Sequence, residues 1–123
     1  MRDELSWDGY IEDLEELGKR VSRIGSVAMV YSCGPHGLMI AGYLHFQLGL
    51  RVVQGPVVIM EIERSASSIL LVDGTCSTGE QFMSFPDSPS AVIYREPCKF
   101  SSFKPTVFVE DIPAPIKFPY ESR

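Results

Sequence analysis

A polar stretch that follows an apolar run in the second half of the chain has the residue types that bind anions. Asp73 comes directly after Ile69 to Val72, and hydroxyl side chains and a glycine come next. The candidate phosphate-binding residues are Thr75, Cys76, Ser77, Thr78, Gly79, Glu80 and Gln81. A short helix is predicted to begin near Glu80, so free backbone N–H groups and the helix dipole would both face an incoming negative charge. Phosphate is the expected anion.

The apolar run before Asp73 predicts a buried strand. Ile69 to Val72 are all branched, with serines before them and Asp73-Gly74 after them. A short continuous run of this kind is typical of a strand that is buried on both faces. We expect the strand to end, and the chain to turn, at Asp73. In the alternative interpretation this is an ordinary strand and polar turn, and Asp73 only caps the strand end.

A second loop with small residues and glycine follows another apolar run, Val27 to Tyr31. The loop contains Ser32, Cys33, Gly34 and His36. A helix and then a strand are predicted after it, which is a βαβ unit with a right-handed crossover. Because ligands bind at the carboxyl ends of parallel strands, we expect the two loops to lie at the same edge of the sheet and to share a ligand.

The elements that would position these loops alternate between helix and strand. An amphipathic helix is predicted over Trp7 to Ile24, where apolar residues recur at three- and four-residue intervals. The other predicted elements are a helix from Leu38 to about Leu48, strands at Arg51 to Val53, Val57 to Glu63, Ala91 to Tyr94 and Thr106 to Val109, and a short turn at Glu63 to Ser68. The pattern predicts an α/β fold, a single domain over residues 1–123 with a mostly parallel twisted sheet flanked by helices.

Composition narrows the class of protein. The chain has 123 residues, which suits one domain with a real core. Its net charge of −5 disfavours a nucleic-acid or anionic-membrane partner, because those partners need clustered Lys and Arg. No apolar run is long enough to span a bilayer, and no signal peptide is evident. Three widely spaced cysteines, Cys33, Cys76 and Cys98, fit a reducing compartment, so we expect a cytoplasmic protein.

The stretch from Ile69 to Gly79 resembles the phosphoribosyl-pyrophosphate signature of the type I phosphoribosyltransferases. The resemblance implies that Asp73 is the catalytic acid, facing the ribose hydroxyls and Mg²⁺, and that Thr75 to Gln81 hold the 5′-phosphate. It also places Ser32, Cys33 and Gly34 at the pyrophosphate loop. The ending, Asp111-Ile112-Pro113 through Pro119-Tyr120-Glu121, is similar to that of the purine-salvage members and puts Ile116, Tyr120 and Glu121 on the base side. Ser6-Trp7-Asp8 is similar to the start of the xanthine-guanine type.

Several features depart from the pattern of that family, among them Glu80-Gln81, where a small or basic residue and a threonine are usual, and Glu96, where a lysine is expected. Gly74 stands where the family has a second acid, and Cys33 stands where it commonly has a basic residue. The short predicted turn at Glu63 to Ser68 takes the place of a long mobile flap that closes over the reacting groups. Without a cation in the first loop, the pyrophosphate would have to be neutralised by Mg²⁺, by a protonated His36 or by another group.

The resemblance implies a phosphoribosyltransferase that joins a nucleobase, expected to be a purine, to phosphoribosyl pyrophosphate with release of pyrophosphate. A non-catalytic nucleotide- or phosphosugar-binding protein of the same fold is the alternative, and a purely structural protein is the third. The expected partners are phosphoribosyl pyrophosphate or a nucleotide, with no nucleic acid and no membrane. We also expect a homodimer, because apolar side chains near the end of the chain, including Phe100, Phe103, Phe108 and Phe118, would form an exposed patch.

The two histidines carry weaker hypotheses. His36 lies in a polar loop, where histidine is usually solvated, and a ligand contact is the less common alternative. His45 lies inside an apolar helix and is interpreted as a structural residue. A zinc site formed by Cys33, His36 and Cys76 has little support, since the chain has no Cys-x-x-Cys pair.

Overall fold

A parallel sheet forms the centre of the structure. The computed structural model describes residues 4–98, 101 and 103–121. Within these residues the strands are β1 (Met29–Ser32), β2 (Arg51–Val52), β3 (Ile69–Cys76), β4 (Ser90–Arg95) and β5 (Glu110–Asp111). They lie in the order β2-β1-β3-β4-β5, and each neighbouring pair is parallel. The helices are α1 (Trp7–Ser22), α2 (Gly37–Leu48) and α3 (Pro56–Ser65). The predicted α/β class with a parallel sheet flanked by helices is therefore confirmed.

The first helix begins where its sequence predicts. The backbone N–H of Gly9 donates to the Ser6 hydroxyl at 3.1 Å, which caps the start of α1. Asp8 lies in the first turn and two basic residues lie in the last, so the side-chain charges complement the helix dipole. Leu14, Leu17 and Val21 are buried along one stripe of the helix. This stripe fixes α1 against the sheet.

The two faces of the sheet hold two separate parts of the core. Leu70 and Val72 of β3 pack with buried residues of α1 and α2, whereas Ile69 and Leu71 pack in a cluster that contains Val58 of α3. This alternation is the two-residue period of a strand that is covered on both sides. The prediction that Ile69 to Val72 form a doubly buried strand is confirmed.

The segment after Gly55 is a helix, so the strand predicted over Val57 to Glu63 is wrong. Gly55 has φ of +63°, and Pro56 then occupies the first turn of α3, where proline needs no backbone N–H. Val58 is buried and Ile62, four residues later, is partly buried, so one helix face meets the sheet. The run of branched side chains favoured a strand, and packing decided otherwise. The predicted turn at Glu63 to Ser68 is the end of α3 followed by a single 3₁₀ turn.

The central strand does not end at Asp73, which corrects the expected turn. β3 continues to Cys76, and Asp73 and Thr75 pair with Val92 and Tyr94 of β4. Other parts of the chain lie directly against the backbone of Gly74 in this extension. A Cβ on Gly74 would lie 2.8 Å from the His36 Cβ and 2.9 Å from the Phe118 ring.

The last strand is displaced from its predicted position at Thr106 to Val109. Val107 forms only an isolated bridge with Ala91, and the regular strand is Glu110–Asp111. The carbonyl of Phe108 accepts a hydrogen bond from the Arg20 guanidinium of α1 at 2.6 Å, while the backbones of Val107 and Val109 bond to β4. No helix in the described part of the chain has the length and apolar character needed to cross a membrane.

Candidate functional site

The loops after β1 and along β3 lie against each other at the carboxyl edge of the sheet. The backbone N–H of Cys33 donates to the carbonyl of Val72 at 2.9 Å. A Cβ on Gly34 would lie 3.2 Å from an Asp73 carboxylate oxygen, so only a small residue fits there without displacing Asp73. The first loop therefore lies against residues 72–74 of β3, and a ligand shared with Thr75 to Gln81 stays a prediction.

Asp73 is held by donors on both of its carboxylate oxygens. The backbone N–H of Gly74 donates to Oδ1 at 2.8 Å, and the Gln81 side-chain amide lies 3.4 Å from Oδ2. Burial raises the pKa of this carboxyl above its usual value, although both donors and the nearby His36 act in the opposite direction. Asp73 is thus a partly buried acid that points toward the first loop.

The Gln81 side chain links the end of the candidate phosphate loop to its beginning. Its side-chain amide donates to the Thr75 carbonyl at 2.8 Å as well as approaching Asp73. The Gln81 side chain thus ties the end of the loop to β3, and the role of Gln81 in binding phosphate stays a prediction. This hydrogen bond holds Asp73 and the loop in a fixed relation.

The backbone of the loop leaves donors available for an anion. The N–H groups of Ser77, Thr78 and Gly79 have no acceptor among the described residues. The predicted helix after them is reduced to one 3₁₀ turn, Glu80–Phe82, so any anion affinity depends on these N–H groups more than on a helix dipole. Glu80 is exposed.

Phe103 covers one side of this loop, and sequence reasoning did not assign it that position. A Cβ on Gly79 would lie 2.3 Å from the Phe103 ring, and Gly79 has φ of +80°, so both space and backbone conformation require glycine. Phe103 also stacks on Phe82, with ring centroids 5.8 Å apart. The Ser101 hydroxyl donates to the Thr78 carbonyl at 3.2 Å. No local sequence signal links these residues to the loop.

Three aromatic side chains form a wall beside Asp73. His36 Nδ1 lies 2.9 Å from the Tyr120 hydroxyl, and the His36 ring stacks on Phe118 at 4.8 Å. Phe118 in turn stacks on Tyr120 at 5.5 Å. Mainly through burial, the pKa of Tyr120 is raised above its usual value. We call His36, Phe118 and Tyr120 the aromatic wall.

The candidate base-side residues have different surroundings. Tyr120 belongs to the aromatic wall, and the Glu121 carboxylate accepts a hydrogen bond from the Phe118 backbone N–H at 2.8 Å. Ile116 is only 8% exposed and packs in the core with α1 residues. Of the three, Tyr120 and Glu121 therefore lie near the edge of the sheet, and Ile116 is a core residue.

The first loop borders a cavity but brings no charge to it. The cavity has a volume of about 270 Å³ and is lined by Tyr31, Ser32, Cys33, Gly34, Pro35, Leu38 and Gln54. Burial and the nearby Asp73 raise the pKa of the Cys33 thiol to about 12, so the thiol stays protonated at neutral pH. Residues 4–98, 101 and 103–121 contain no cluster of three His, Cys, Asp or Glu side chains that could hold a metal ion. The three proposed zinc ligands, Cys33, His36 and Cys76, do not come together.

Comparisons with known proteins place this geometry in a known fold. No protein-family model and no curated protein matches the sequence. Among solved structures, a Helicobacter pylori xanthine-guanine-hypoxanthine phosphoribosyltransferase is similar, with 19% identity, a TM-score of 0.72 and coverage of 96% of this chain and 92% of that one. A purine phosphoribosyltransferase from Pyrococcus horikoshii has 17% identity, a TM-score of 0.73 and coverage of 99% and 95%.

A third similar structure is a hypothetical protein from Neisseria gonorrhoeae with bound ppGpp, at 13% identity, a TM-score of 0.69 and coverage of 99% and 91%. At identities this low, the likeness shows the fold alone. It covers nearly the full length of each chain. The expected fold is confirmed: the chain has the fold of these purine phosphoribosyltransferases.

Proposed function

We propose that the protein is a phosphoribosyltransferase that joins a nucleobase, a purine in the first instance, to phosphoribosyl pyrophosphate. The observation that carries the proposal is the packing of the first loop against Asp73, which lies in β3 four residues before the Ser77–Gly79 segment, in a chain with the fold of purine phosphoribosyltransferases. In this reaction a ring nitrogen of the base forms a bond to the anomeric carbon while the bond to pyrophosphate breaks.

Each part of the site has a role in this proposal. The N–H groups of Ser77, Thr78 and Gly79, which have no acceptor among the residues that the structure describes, bind the 5′-phosphate, and Asp73 faces the ribose hydroxyls. The first loop, Ser32 to Gly34, binds the pyrophosphate. Positive charge develops on the ribose as pyrophosphate leaves, and the Asp73 carboxylate stabilises that charge.

The site offers Mg²⁺ a carboxylate ligand, that of Asp73. Asp73 is the acid at the sheet edge that could contact the ion, and the described residues offer no further acid or histidine cluster around it. Mg²⁺ commonly binds through one or two carboxylates together with substrate phosphates and water. When bound, the ion would neutralise the pyrophosphate, for which the Ser32-Cys33-Gly34 loop provides no cation.

A product assay tests the proposal. The protein is incubated with phosphoribosyl pyrophosphate, Mg²⁺ and a panel of purines and pyrimidines, and the nucleoside monophosphate and pyrophosphate are both measured. We expect turnover with at least one purine and much slower turnover by Asp73→Asn. The proposal is wrong if no base in the panel yields a nucleotide.

A non-catalytic binding protein is the second candidate, and two observations favour it. The position of the missing second acid is closed, because His36 and Phe118 lie against Gly74. The segment where the resemblance implies a mobile flap is α3 and a 3₁₀ turn. Thermal-shift titration with nucleoside monophosphates and phosphoribosyl pyrophosphate separates the candidates, since a bound ligand stabilises the folded state by mass action. A shift without turnover supports binding alone, and no shift with any ligand rejects both candidates.

The homodimer and the cytoplasmic location stay predictions. The aromatic patch that suggested a dimer is not exposed as expected: Phe118 is buried, Phe103 and Phe108 are partly buried, and Phe100 lies outside the described residues. Large exposed apolar side chains lie instead on α2 and α3, among them Phe46, Ile59 and Met60. Light scattering at micromolar concentration decides the question, and a purely monomeric mass would refute the dimer.

A further inference from the structure

A second cavity lies at the opposite end of α1 from the aromatic wall. It has a volume of about 310 Å³ and is lined by Arg20, Arg23, Lys104, Thr106, Val107 and Phe108. Tyr10, near the start of α1, contacts Tyr120 of the aromatic wall. Arg20 and Arg23 follow ten and thirteen residues later, which is about 15 to 20 Å along a helix. The cavity is therefore distinct from the candidate site.

Positive charge is concentrated in this cavity although the chain as a whole has a net charge of −5. Arg20 is fixed in place, since its Nε donates to Glu16 at 2.8 Å and its Nη1 donates to the Phe108 carbonyl at 2.6 Å. Arg23 and Lys104 are exposed, and neither forms a salt bridge within the part of the chain that the structure describes; Glu16, which pairs with Arg20, is the acid that also interacts electrostatically with Arg23. Two cations are thus available to an anion, next to a third that is held rigidly.

Phe108 brings the basic groups of the cavity together. Its carbonyl holds Arg20, and the Lys104 ammonium lies 5.8 Å from the centroid of its ring. Thr106 adds a hydroxyl whose oxygen already accepts from the Ser90 backbone N–H at 3.0 Å, so the hydroxyl hydrogen can be donated to a ligand. The cavity therefore presents donors from a helix and from the segment before β5.

We propose that this cavity binds a small phosphorylated anion, the phosphate chain of a nucleotide or inorganic pyrophosphate. Guanidinium groups are suited to phosphate oxygens because they can donate two parallel hydrogen bonds. Arg20 lies in the last turn of α1 and Arg23, three positions later, is its helical C-cap residue, so the two lie on the same side of the helix end. With cations on both sides, the cavity suits a ligand with more than one negative charge.

The test is an NMR titration of the ¹⁵N-labelled protein with inorganic pyrophosphate, with EDTA present to remove divalent ions. We expect shifts of the backbone amides of residues 20–23, 104 and 106–108. Removing both available cations, in Arg23→Gln with Lys104→Gln, should weaken binding at these residues about tenfold or more, because charge-assisted hydrogen bonds are lost. Binding should also weaken as salt concentration rises.

Arg64→Gln is the matched control, since it removes an exposed cation from α3 and should leave the affinity unchanged. Shifts confined to residues 73–81, no shifts at all, or equal affinity of the double variant and the wild type would each overturn the proposal. Shifts at both places, of which the double variant loses only those at 20–23, 104 and 106–108, support it. ATP and inorganic tripolyphosphate then distinguish the source: tighter binding of ATP indicates a nucleotide, and equal binding indicates recognition of the phosphate chain alone.

Discussion

The imidazole of His36 and the hydroxyl of Tyr120 lie 2.9 Å apart, although 84 residues separate them in sequence. This contact joins the first loop to the tail that the resemblance places on the base side. Tyr120→Phe keeps the ring stacked on Phe118 and removes only the hydroxyl. We expect the free energy of unfolding to fall by about 1 kcal/mol, the usual value for one hydrogen bond.

Urea unfolding measures the effect of Tyr120→Phe, and Tyr31→Phe is the control because the Tyr31 hydroxyl makes no hydrogen bond within the described residues. If Tyr120→Phe is as stable as the wild type while Tyr31→Phe is not, the hydrogen bond has no structural importance. Purine nucleotide affinity, measured on both variants, shows whether the same bond also orients the base.

Introducing an acid at position 74 should lower the stability of the fold. In Gly74→Asp the new Cβ would lie 2.8 Å from the His36 Cβ and 2.9 Å from the Phe118 ring, and both distances are shorter than a van der Waals contact. Overpacking of this kind typically costs about 1 to 3 kcal/mol, so we expect the melting temperature to fall by several degrees. Gly42→Asp is the control, since nothing lies within 4 Å of a Cβ there. A Gly74→Asp variant with normal stability would show that the aromatic wall can move aside.

Neutralising Asp73 should separate two kinds of binding. Asp73→Asn removes the carboxylate that is proposed to face ribose and Mg²⁺, and it leaves the N–H groups of Ser77, Thr78 and Gly79 in place. We expect affinity for phosphoribosyl pyrophosphate with Mg²⁺ to fall about tenfold, which corresponds to about 1.4 kcal/mol, and affinity for inorganic phosphate to stay unchanged. Isothermal titration calorimetry measures both. Equal losses for the two ligands would argue against a separate role for Asp73.

The free energy of unfolding should fall at alkaline pH because of Cys33. Burial raises the pKa of this thiol from its usual 9.0 to about 12. Below pH 9.0 the thiol is protonated in both states, so it contributes no pH dependence. Between pH 9.0 and about 12 the unfolded state releases the proton and the folded state retains it, so folding becomes less favourable.

Urea unfolding of the wild type and Cys33→Ala over this pH range isolates the effect of Cys33. The burial of Cys76 and Tyr10 raises their pKa values to about 11 and about 12, and their contribution is common to both proteins. We expect the wild type to lose more stability than Cys33→Ala above pH 9.0. Parallel curves would show that Cys33 becomes solvated before it ionises.

The sequence predicts the elements that have a strong local pattern. Ser6 and the apolar stripe of α1 define that helix, and Ile69 to Val72 define the buried strand. The pattern fails at α3, where Val57, Val58 and Ile59 favour a strand and the burial of Val58 and Ile62 on one side decides for a helix. Local propensity is a weak signal when packing against the sheet can override it.

In the candidate site, too, the sequence predicts the residues of the local motif but not the residues that pack against it. Asp73 and the Thr78-Gly79 turn are evident from the order of the residues, whereas the aromatic side chains around them are not. Phe103 lies on Gly79 from 24 positions away, and Phe118 lies on Gly74 from 44 positions away. Such contacts depend on the folded path of the chain, which no short motif contains. The roles proposed for the site residues are predictions that the experiments above test.

The pairing of the two ends of the described chain has a consequence for the order of folding. The backbone N–H of Leu5 donates to the carbonyl of Lys117 at 2.9 Å, and the neighbouring Phe118 completes the packing around Gly74. Residues 117–120 are synthesised after all five strands of the described sheet. A ribosome-bound chain that lacks these residues has neither the Phe118 ring against Gly74 nor the Lys117 carbonyl that accepts from Leu5. Ligand binding should therefore begin only after the tail has emerged from the ribosome, which makes it a late event in the life of each molecule.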